Sequence, residues 1–335
     1  MERRKFISIL LPNVSSIGYA LFMAITATGT WGGVFPFLSM EFQTRDIVLG
    51  FFLVQSITLT LTCFLTTWLS YKHPDMLRKT VIPEAVATYL FGWVFLVAAM
   101  YVPNLAYQFS LVAGFLLGIG SGLMLLLWQR VFAGDEPDKG ARDLIVGTAW
   151  SSVIYFLLYL IPRAITAYLI PAVFLPLSCL ALVLSTRNID LNQPMFEEKP
   201  YEHPLVYKTA VKDYWQAVLC VGALALGAGI MRALAIDDPG IGSLVNILSM
   251  IAALIAALLL IFIWKKHDFV VNIVNLYHMI FPVIITGLLF LPFLGMAYER
   301  WFASIFYAVY KIALLLMMLH AAQAARDRGL SPVFI

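Results

Sequence analysis

Charged residues are scarce in this chain of 335 residues, and their scarcity excludes most soluble proteins. Asp, Glu, Lys and Arg make up 12% of the sequence, whereas soluble domains carry about 25%. Hydrophobic residues make up 61%, more than the burial of a core requires, so the composition predicts a chain embedded in a lipid bilayer. The net charge of +3 is small and its basic residues are dispersed, which argues against direct nucleic-acid contact by this chain.

Cysteines and catalytic motifs are also scarce. Cys63, Cys179 and Cys220 each lie inside an apolar run, and an odd, dispersed set argues against a disulfide framework or a zinc site. The histidines show no metal-ligand spacing. The sequence contains no nucleophile–base constellation, no nucleotide-binding loop and no haem-type cluster. We therefore expect a protein that is not an enzyme and that holds neither a metal nor a cofactor.

Long apolar runs are what the sequence has in abundance. A helix needs about 20 mostly apolar residues to cross the hydrocarbon core of a bilayer. Because a spanning segment must satisfy its backbone hydrogen bonds internally, and the alternating polarity of a barrel is absent, we predict an all-α, polytopic integral membrane bundle. Ten spanning helices are predicted, at residues 14–38, 48–70, 82–101, 109–132, 144–162, 165–186, 216–236, 242–264, 270–295 and 301–324.

Basic residues concentrate in every second gap between these runs. Cytoplasmic loops of membrane proteins retain Lys and Arg, so the alternation predicts topology. It places both termini in the cytoplasm. The basic gaps hold Arg3, Arg4, Lys5, Lys72, Arg78, Lys79, Arg130, Lys139, Arg142, Arg187, Lys199, Lys208, Lys212, Lys265, Lys266, Arg326 and Arg328, and the intervening gaps hold Arg45, Arg163 and Arg300.

The longest connection divides the chain into two sets of helices. It is rich in proline and contains the acidic residues Glu197, Glu198 and Glu202. The second helix ends in YKHPD at residues 71–75, and the eighth ends in the similar WKKHD at residues 264–268. The predicted organisation is a six-helix bundle at 1–186, a cytoplasmic linker at 187–215 and a partial bundle of four helices at 216–335.

Six helices, a charged central connection and a second related set resemble the major facilitator superfamily, whose two halves are such repeats. The resemblance implies a central cavity lined by the first, fourth, seventh and tenth helices. Two departures accompany it. The family's loop after the second helix carries a Gly-x-x-x-Asp-Arg-x-Gly-Arg type motif, whereas residues 71–79 read YKHPDMLRK, without glycine. The family has twelve helices, so the expected layout here is six plus four, with the second half incomplete.

The segment after the tenth helix, AARDRGLSPVF at residues 324–334, adds a second resemblance. With the aromatic-rich helices and the degenerate loop, it resembles the membrane-embedded amino-terminal part of LuxR-type transcriptional regulators of gut actinobacteria. In those proteins a helix-turn-helix domain follows the helices, and no such segment occurs in this sequence. The resemblance implies a sensor, in which a small ligand biases inward–outward rocking of the two halves. The alternative is a secondary transporter of a small anionic solute.

Two basic residues, Arg232 and Lys311, fall inside apolar runs. A cation in the bilayer is costly and usually faces a water-filled cavity or a partner. No acid lies deep in a predicted span to neutralise either one, so we expect a cavity that attracts an anionic ligand. For Arg232 the alternative is snorkelling to the outer interface, where Asp237 or Asp238 can pair with it. Lys311 lies too deep for snorkelling, which favours the cavity role.

Three further residues are candidate ligand contacts in the same cavity. Tyr307 lies four residues before Lys311, and this spacing places both on one helix face. Thr28 and Trp31 lie in the first helix, which the facilitator resemblance directs towards the cavity. The alternatives are structural: an aromatic residue at helical spacing can serve packing, and a hydroxyl within a span commonly bonds to its own backbone.

Two other polar or small-residue patterns remain. Asn272, Asn275 and His278 are spaced by three residues in the ninth helix, a stripe that could relay protons or join helices through hydrogen bonds. The glycines between Gly114 and Gly122 in the fourth helix predict either close helix packing or a pivot between the two halves.

Overall fold

The computed structural model describes residues 10–29, 35, 38–190, 192–197, 202–237, 239–264 and 273–334. In this part of the chain almost every residue is helical, and the helices are joined by short turns. Eight helices precede the last helical stretch: α1 (Val14–Gly29), α2 (Arg45–Lys72), α3 (Pro74–Tyr101), α4 (Ala106–Gly134), α5 (Pro137–Leu158), α6 (Arg163–Arg187), α7 (Pro204–Asp237) and α8 (Pro239–Trp264).

The last helical stretch, Ile273–Arg328, contains two helices. They meet at Gly295, whose φ of 72° and ψ of 169° are outside the helical region and suit a residue without a Cβ. We refer to residues 273–294 as α9 and to Trp301–Arg328 as α10. Gly295 is the last residue of the predicted ninth span, 270–295, so the break falls next to the predicted short connection.

Eight of the described helices, α2 to α8 and α10, contain a stretch long and apolar enough to cross a membrane. Their outer faces carry large exposed apolar side chains, such as Phe64 and Leu226, which suit contact with lipid. The chain is therefore an all-α, multi-pass membrane bundle, as predicted. The first predicted span, 14–38, is described as the 16-residue helix α1, and several residues after it are outside the described part. The ninth predicted span likewise begins outside it.

Helix α7 begins at Pro204, twelve positions earlier than the predicted start at residue 216, and therefore occupies part of the predicted linker. Lys208 and Lys212 end the apolar run, which is why hydropathy places the boundary later. The helix continues because its polar side chains are exposed while Tyr207 and Ala210, three residues apart, are buried. Helical periodicity, rather than hydropathy, marks where this helix starts.

Helix α4 packs closely between α2 and α3 through its glycines. A Cβ on Gly114 would lie 2.7 Å from the carbonyl oxygen of Phe51 in α2. A Cβ on Gly120 would lie 2.7 Å from both the Cα and the backbone nitrogen of Tyr89 in α3. These contacts are the close packing that the glycine spacing predicts, and they join helices within the first set of six rather than across the two sets.

The turn Pro194–Glu197, also inside the predicted linker, docks where α4 ends and α5 begins. Gln193 Nε2 donates to the carbonyl oxygen of Gly134 at 2.9 Å, and the guanidinium of Arg130 lies 5.1 Å from the ring centroid of Phe196. Met195 and Phe196 are buried in one apolar cluster with residues of α4 and α10. Residues 194–197 of the predicted linker are therefore packed against the helices.

The end of α10 is tied to the same region by two arginines. Arg328 Nη2 lies 2.7 Å from Asp213 Oδ2 of α7, and its guanidinium lies 4.9 Å from the ring centroid of Tyr214. Arg326 Nη1 donates to the backbone carbonyl oxygen of Asp135, just after α4, at 3.2 Å. These contacts join the end of α10 to both α4 and α7.

Candidate ligand site between α1, α5, α8 and α10

A small cavity lies near the middle of the bundle, where α1, α5, α8 and α10 meet. Its volume of about 20 Å³ is sufficient for one water molecule. Helices α1 and α5 supply part of its wall, and α8 and α10 supply the rest, so helices from both predicted sets contribute to it. The lining residues are Tyr19, Met23, Thr148, Ser151, Ala253, Lys311, Leu314, Leu315 and Met318.

Lys311 is the charged residue of this wall. Its side chain is 7% exposed, and Nζ donates to the Sδ atom of Met250 in α8 at 2.6 Å. A thioether sulfur is a weak hydrogen-bond acceptor. The lining residues, all within the described part of the chain, include no Asp or Glu. Lys311 is therefore the basic side chain of a wall that is otherwise apolar or hydroxyl-bearing.

Three hydroxyl groups form the polar part of the wall. Tyr19 donates to Met318 Sδ at 3.3 Å, and Thr148 donates to the carbonyl oxygen of Leu144 at 2.8 Å. Ser151 donates to the carbonyl oxygen of Thr148 at 2.7 Å. Each hydroxyl oxygen keeps lone pairs, and each hydroxyl hydrogen can rotate towards a new acceptor. The wall therefore offers three uncharged hydroxyl groups beside the basic side chain of Lys311.

Tyr307 lies one turn before Lys311 on the same face of α10. Its side chain is 3% exposed and belongs to an apolar cluster that includes Met250 of α8 and Tyr155 of α5. The tyrosine is not part of the cavity wall in this structure. It lies beside the cavity, on the side towards the start of α10.

The other predicted site residues do not join Lys311 at the cavity wall in the described structure. Thr28 is buried, and its hydroxyl donates to the carbonyl oxygen of Ile25 at 2.6 Å, which is the backbone alternative. Trp31 lies outside the described residues, as does the side chain of Arg232, whose backbone belongs to α7. Asn272 also lies outside them, and Asn275 and His278 are placed on α9 by their backbone alone, so the polar stripe stays a prediction.

The set of helices around this cavity differs from the set that the facilitator resemblance implies. Helices α5 and α8 line it where the fourth and seventh were expected. The reason lies in packing: α4 directs its glycines into α2 and α3, and it meets α10 through a hydrogen bond from Gln129 Nε2 to the carbonyl oxygen of Met318 at 3.0 Å. Gly227 of α7 packs against the ring of Phe306 in α10.

Asn246 in α8 is a buried polar residue that the sequence analysis missed. Its side chain is 0% exposed, and neither Oδ1 nor Nδ2 has a hydrogen-bond partner among the described residues. The residue lies four positions before Met250, whose sulfur contacts Lys311. A lone asparagine in an apolar run gives no sign of its surroundings. The signal available was its spacing from Met250 and Ala253, which places all three on one helix face.

Asp143 is a second residue that the sequence analysis did not single out. It lies just outside the predicted fifth span, but the structure places it within α5 at 1% exposure. Its Oδ2 accepts a hydrogen bond from Asn13 Nδ2 at 2.6 Å, and Oδ1 lies 4.0 Å from Nη1 of Arg142. A buried carboxylate therefore joins the start of α1 to α5, away from the cavity wall.

No known protein family and no curated protein matches this chain. The described residues also contain no group of three or more His, Cys, Asp or Glu side chains arranged to hold a metal ion. A functional assignment therefore depends on the geometry of the bundle, in which the buried Lys311 side chain and several hydroxyls line a small cavity between α1, α5, α8 and α10.

Proposed function

We propose that this chain is a transporter-derived module that binds a small anionic ligand in its central cavity. The observation that carries the proposal is the basic side chain of Lys311, buried in the wall of a cavity that four helices share. Burying a cation inside a membrane protein is costly, and such residues usually serve a ligand or ion pathway. A bound anion offsets that cost, so we expect the site to bind negatively charged ligands most tightly.

We infer that the ligand acts by biasing a rocking motion of the two predicted sets of helices. The two sets meet at α5 and α8, where Ser152 Oγ donates to the carbonyl oxygen of Met250 at 2.9 Å, and at α4 and α10. A ligand held between α1, α5, α8 and α10 contacts both sets and can bias their relative position. We also propose a layout of six plus four helices, with both termini in the cytoplasm. The alternation of basic residues along the sequence supports this topology.

We assign the module to sensing, as the membrane part of a LuxR-type regulator in a bacterial plasma membrane. In this role the occupied cavity shifts the equilibrium between two conformations, and a domain fused beyond the helices reads the shift. Loss of the facilitator loop motif at residues 71–79 supports a sensor, because a sensor need not complete a transport cycle.

The anion site is tested by thermal unfolding of the purified chain in detergent, with sodium butyrate as the probe. We expect butyrate to raise the melting temperature of the wild-type protein, since a ligand at about 100 times its Kd adds about 2.7 kcal/mol to stability. Lys311→Met is expected to abolish the shift and Lys311→Arg to keep part of it. Butyramide, which is uncharged, is the matched control. An equal butyrate shift in Lys311→Met would contradict the proposal.

Secondary transport is the second candidate, and Asp143 is the observation that favours it. Proton-driven carriers need a titratable group shielded from water, and this carboxylate is buried between α1 and α5. If the chain is a sensor, proteoliposomes with an imposed pH gradient should accumulate no more labelled butyrate than empty liposomes do. Gradient-driven uptake that is lost in Asp143→Asn, while butyrate binding persists, would establish transport in place of sensing.

A further inference from the structure

We propose that Asn246 is a second ligand contact, and that the ligand is a small carboxylate carrying a hydroxyl or a primary amide. The inference rests on the proposed function for its charged contact at Lys311. It goes beyond that function because it names a specificity-determining residue and the chemistry of the ligand's other end.

The first argument is the state of the Asn246 amide. Its side chain is completely buried, and both of its polar atoms are without a hydrogen-bond partner in the part of the chain that the structure describes. Leaving a buried amide unsatisfied costs about 1–3 kcal/mol in proteins, so nearly all buried amides are paired. Ser249 does not satisfy it, because its hydroxyl donates to the backbone carbonyl oxygen of Asn246 at 2.9 Å. The unmet amide is therefore available to a ligand.

The second argument is position. Asn246, Met250 and Ala253 are spaced by four and three residues, so they form one stripe along α8. Ala253 lines the cavity, and Met250 Sδ contacts Lys311 Nζ at 2.6 Å. One turn of helix rises about 5.4 Å, so Asn246 lies about that far beyond the Met250 contact along α8. Asn246 therefore lies on the same face of α8 as Met250, one turn away from the residue that contacts Lys311.

The third argument is that Met250 can move aside without disturbing the helices. Its backbone carbonyl oxygen is fixed by the hydroxyl of Ser152 in α5, at 2.9 Å. Its side chain has three rotatable bonds and adapts readily to irregular spaces. The proposed binding mode requires this side chain to rotate away from Lys311, so that the cavity extends towards Asn246 and accepts a ligand longer than one water molecule.

The chemistry of the two ends defines the ligand. The ammonium of Lys311 favours a carboxylate. The Asn246 amide offers both a donor and an acceptor, so its complement must accept and donate hydrogen bonds. A hydroxyl or a primary amide does both, whereas a second carboxylate only accepts and leaves Oδ1 unmet. Because Asn246 lies about one helical turn, or about 5 Å, from Met250 along α8, we expect a ligand with a chain of about four carbons.

The test compares three probes on the purified full chain: butyrate, 4-hydroxybutyrate and succinamate. In the wild-type protein we expect the two substituted probes to bind about tenfold more tightly than butyrate, which corresponds to one additional buried hydrogen-bonded contact. In Asn246→Leu, the preference is expected to disappear while butyrate affinity changes less than threefold. Ser249→Ala is the matched control on the same helix, and it should keep the tenfold preference.

The outcomes separate this inference from the proposed function. Equal affinities for the three probes in the wild-type protein, or a preference that survives in Asn246→Leu, would overturn the role of Asn246 while leaving the anion site intact. Absence of any carboxylate binding in the wild-type protein would overturn the anion site itself. Asn246→Leu is also expected to unfold at the same temperature as the wild type or higher, since leucine fills the space without an unmet amide.

Discussion

Replacing Gly120 with valine is expected to lower the free energy of unfolding by about 3 kcal/mol, at the upper end of what overpacking usually costs. The Cβ of any residue here meets the Cα and the backbone nitrogen of Tyr89 at 2.7 Å. Backbone atoms cannot rotate away as the end of a flexible side chain can, so α3 and α4 must separate. Tyr89 belongs to the largest apolar cluster, which includes residues of α1 to α6 and of α10, and separation of α3 from α4 would remove contacts within it.

Gly222→Val is the matched control for this prediction. Gly222 lies within α7, and a Cβ added there meets nothing within 4 Å. Both substitutions replace a helical glycine with the same branched residue, so intrinsic helix propensity contributes equally. The measurement is the unfolding midpoint in a denaturing detergent titration, followed by tryptophan fluorescence. Similar losses in both variants would mean that α3 and α4 do not approach each other as closely as the structure has them.

Much of the helical layout could be predicted from the sequence because the bilayer imposes a minimum apolar length on every span. The second predicted span, 48–70, lies inside the observed Arg45–Lys72, and the fourth, 109–132, lies inside Ala106–Gly134. The observed helices are longer because a helix can continue past the apolar core with polar residues on its exposed face. The same effect explains why the predicted linker contains the start of α7 at Pro204.

The candidate site was predictable only where a single residue type is informative by itself. A lysine in an apolar run implies a special environment, and the structure places Lys311 at the cavity wall. An asparagine or an aspartate near the end of an apolar run does not imply a special environment, because its burial depends on which helix packs beside it. The helices that line the cavity also depend on packing, since the glycine face of α4 is occupied by α2 and α3.

Lys311→Met is expected to stabilise the empty protein by about 1–2 kcal/mol, because taking a polar group out of water costs about 1–3 kcal/mol in proteins and methionine avoids that cost. The side chain is 7% exposed among Met250, Leu314 and Leu315, which are apolar. Methionine has a similar length and shape, so it fills the same space without a charge. The same denaturing titration, performed without any carboxylate, measures the change.

Leu314→Met is the matched control, because it adds methionine to the same cavity wall without removing a charge. Exchange between Leu and Met usually changes stability by less than about 1.5 kcal/mol. A gain in stability confined to Lys311→Met, together with loss of the butyrate shift, would show that the lysine opposes folding and serves binding. A loss of stability in Lys311→Met would instead assign the lysine to holding α8 and α10 together. The expected gain thus separates a ligand-binding charge from a structural one before any natural ligand is known.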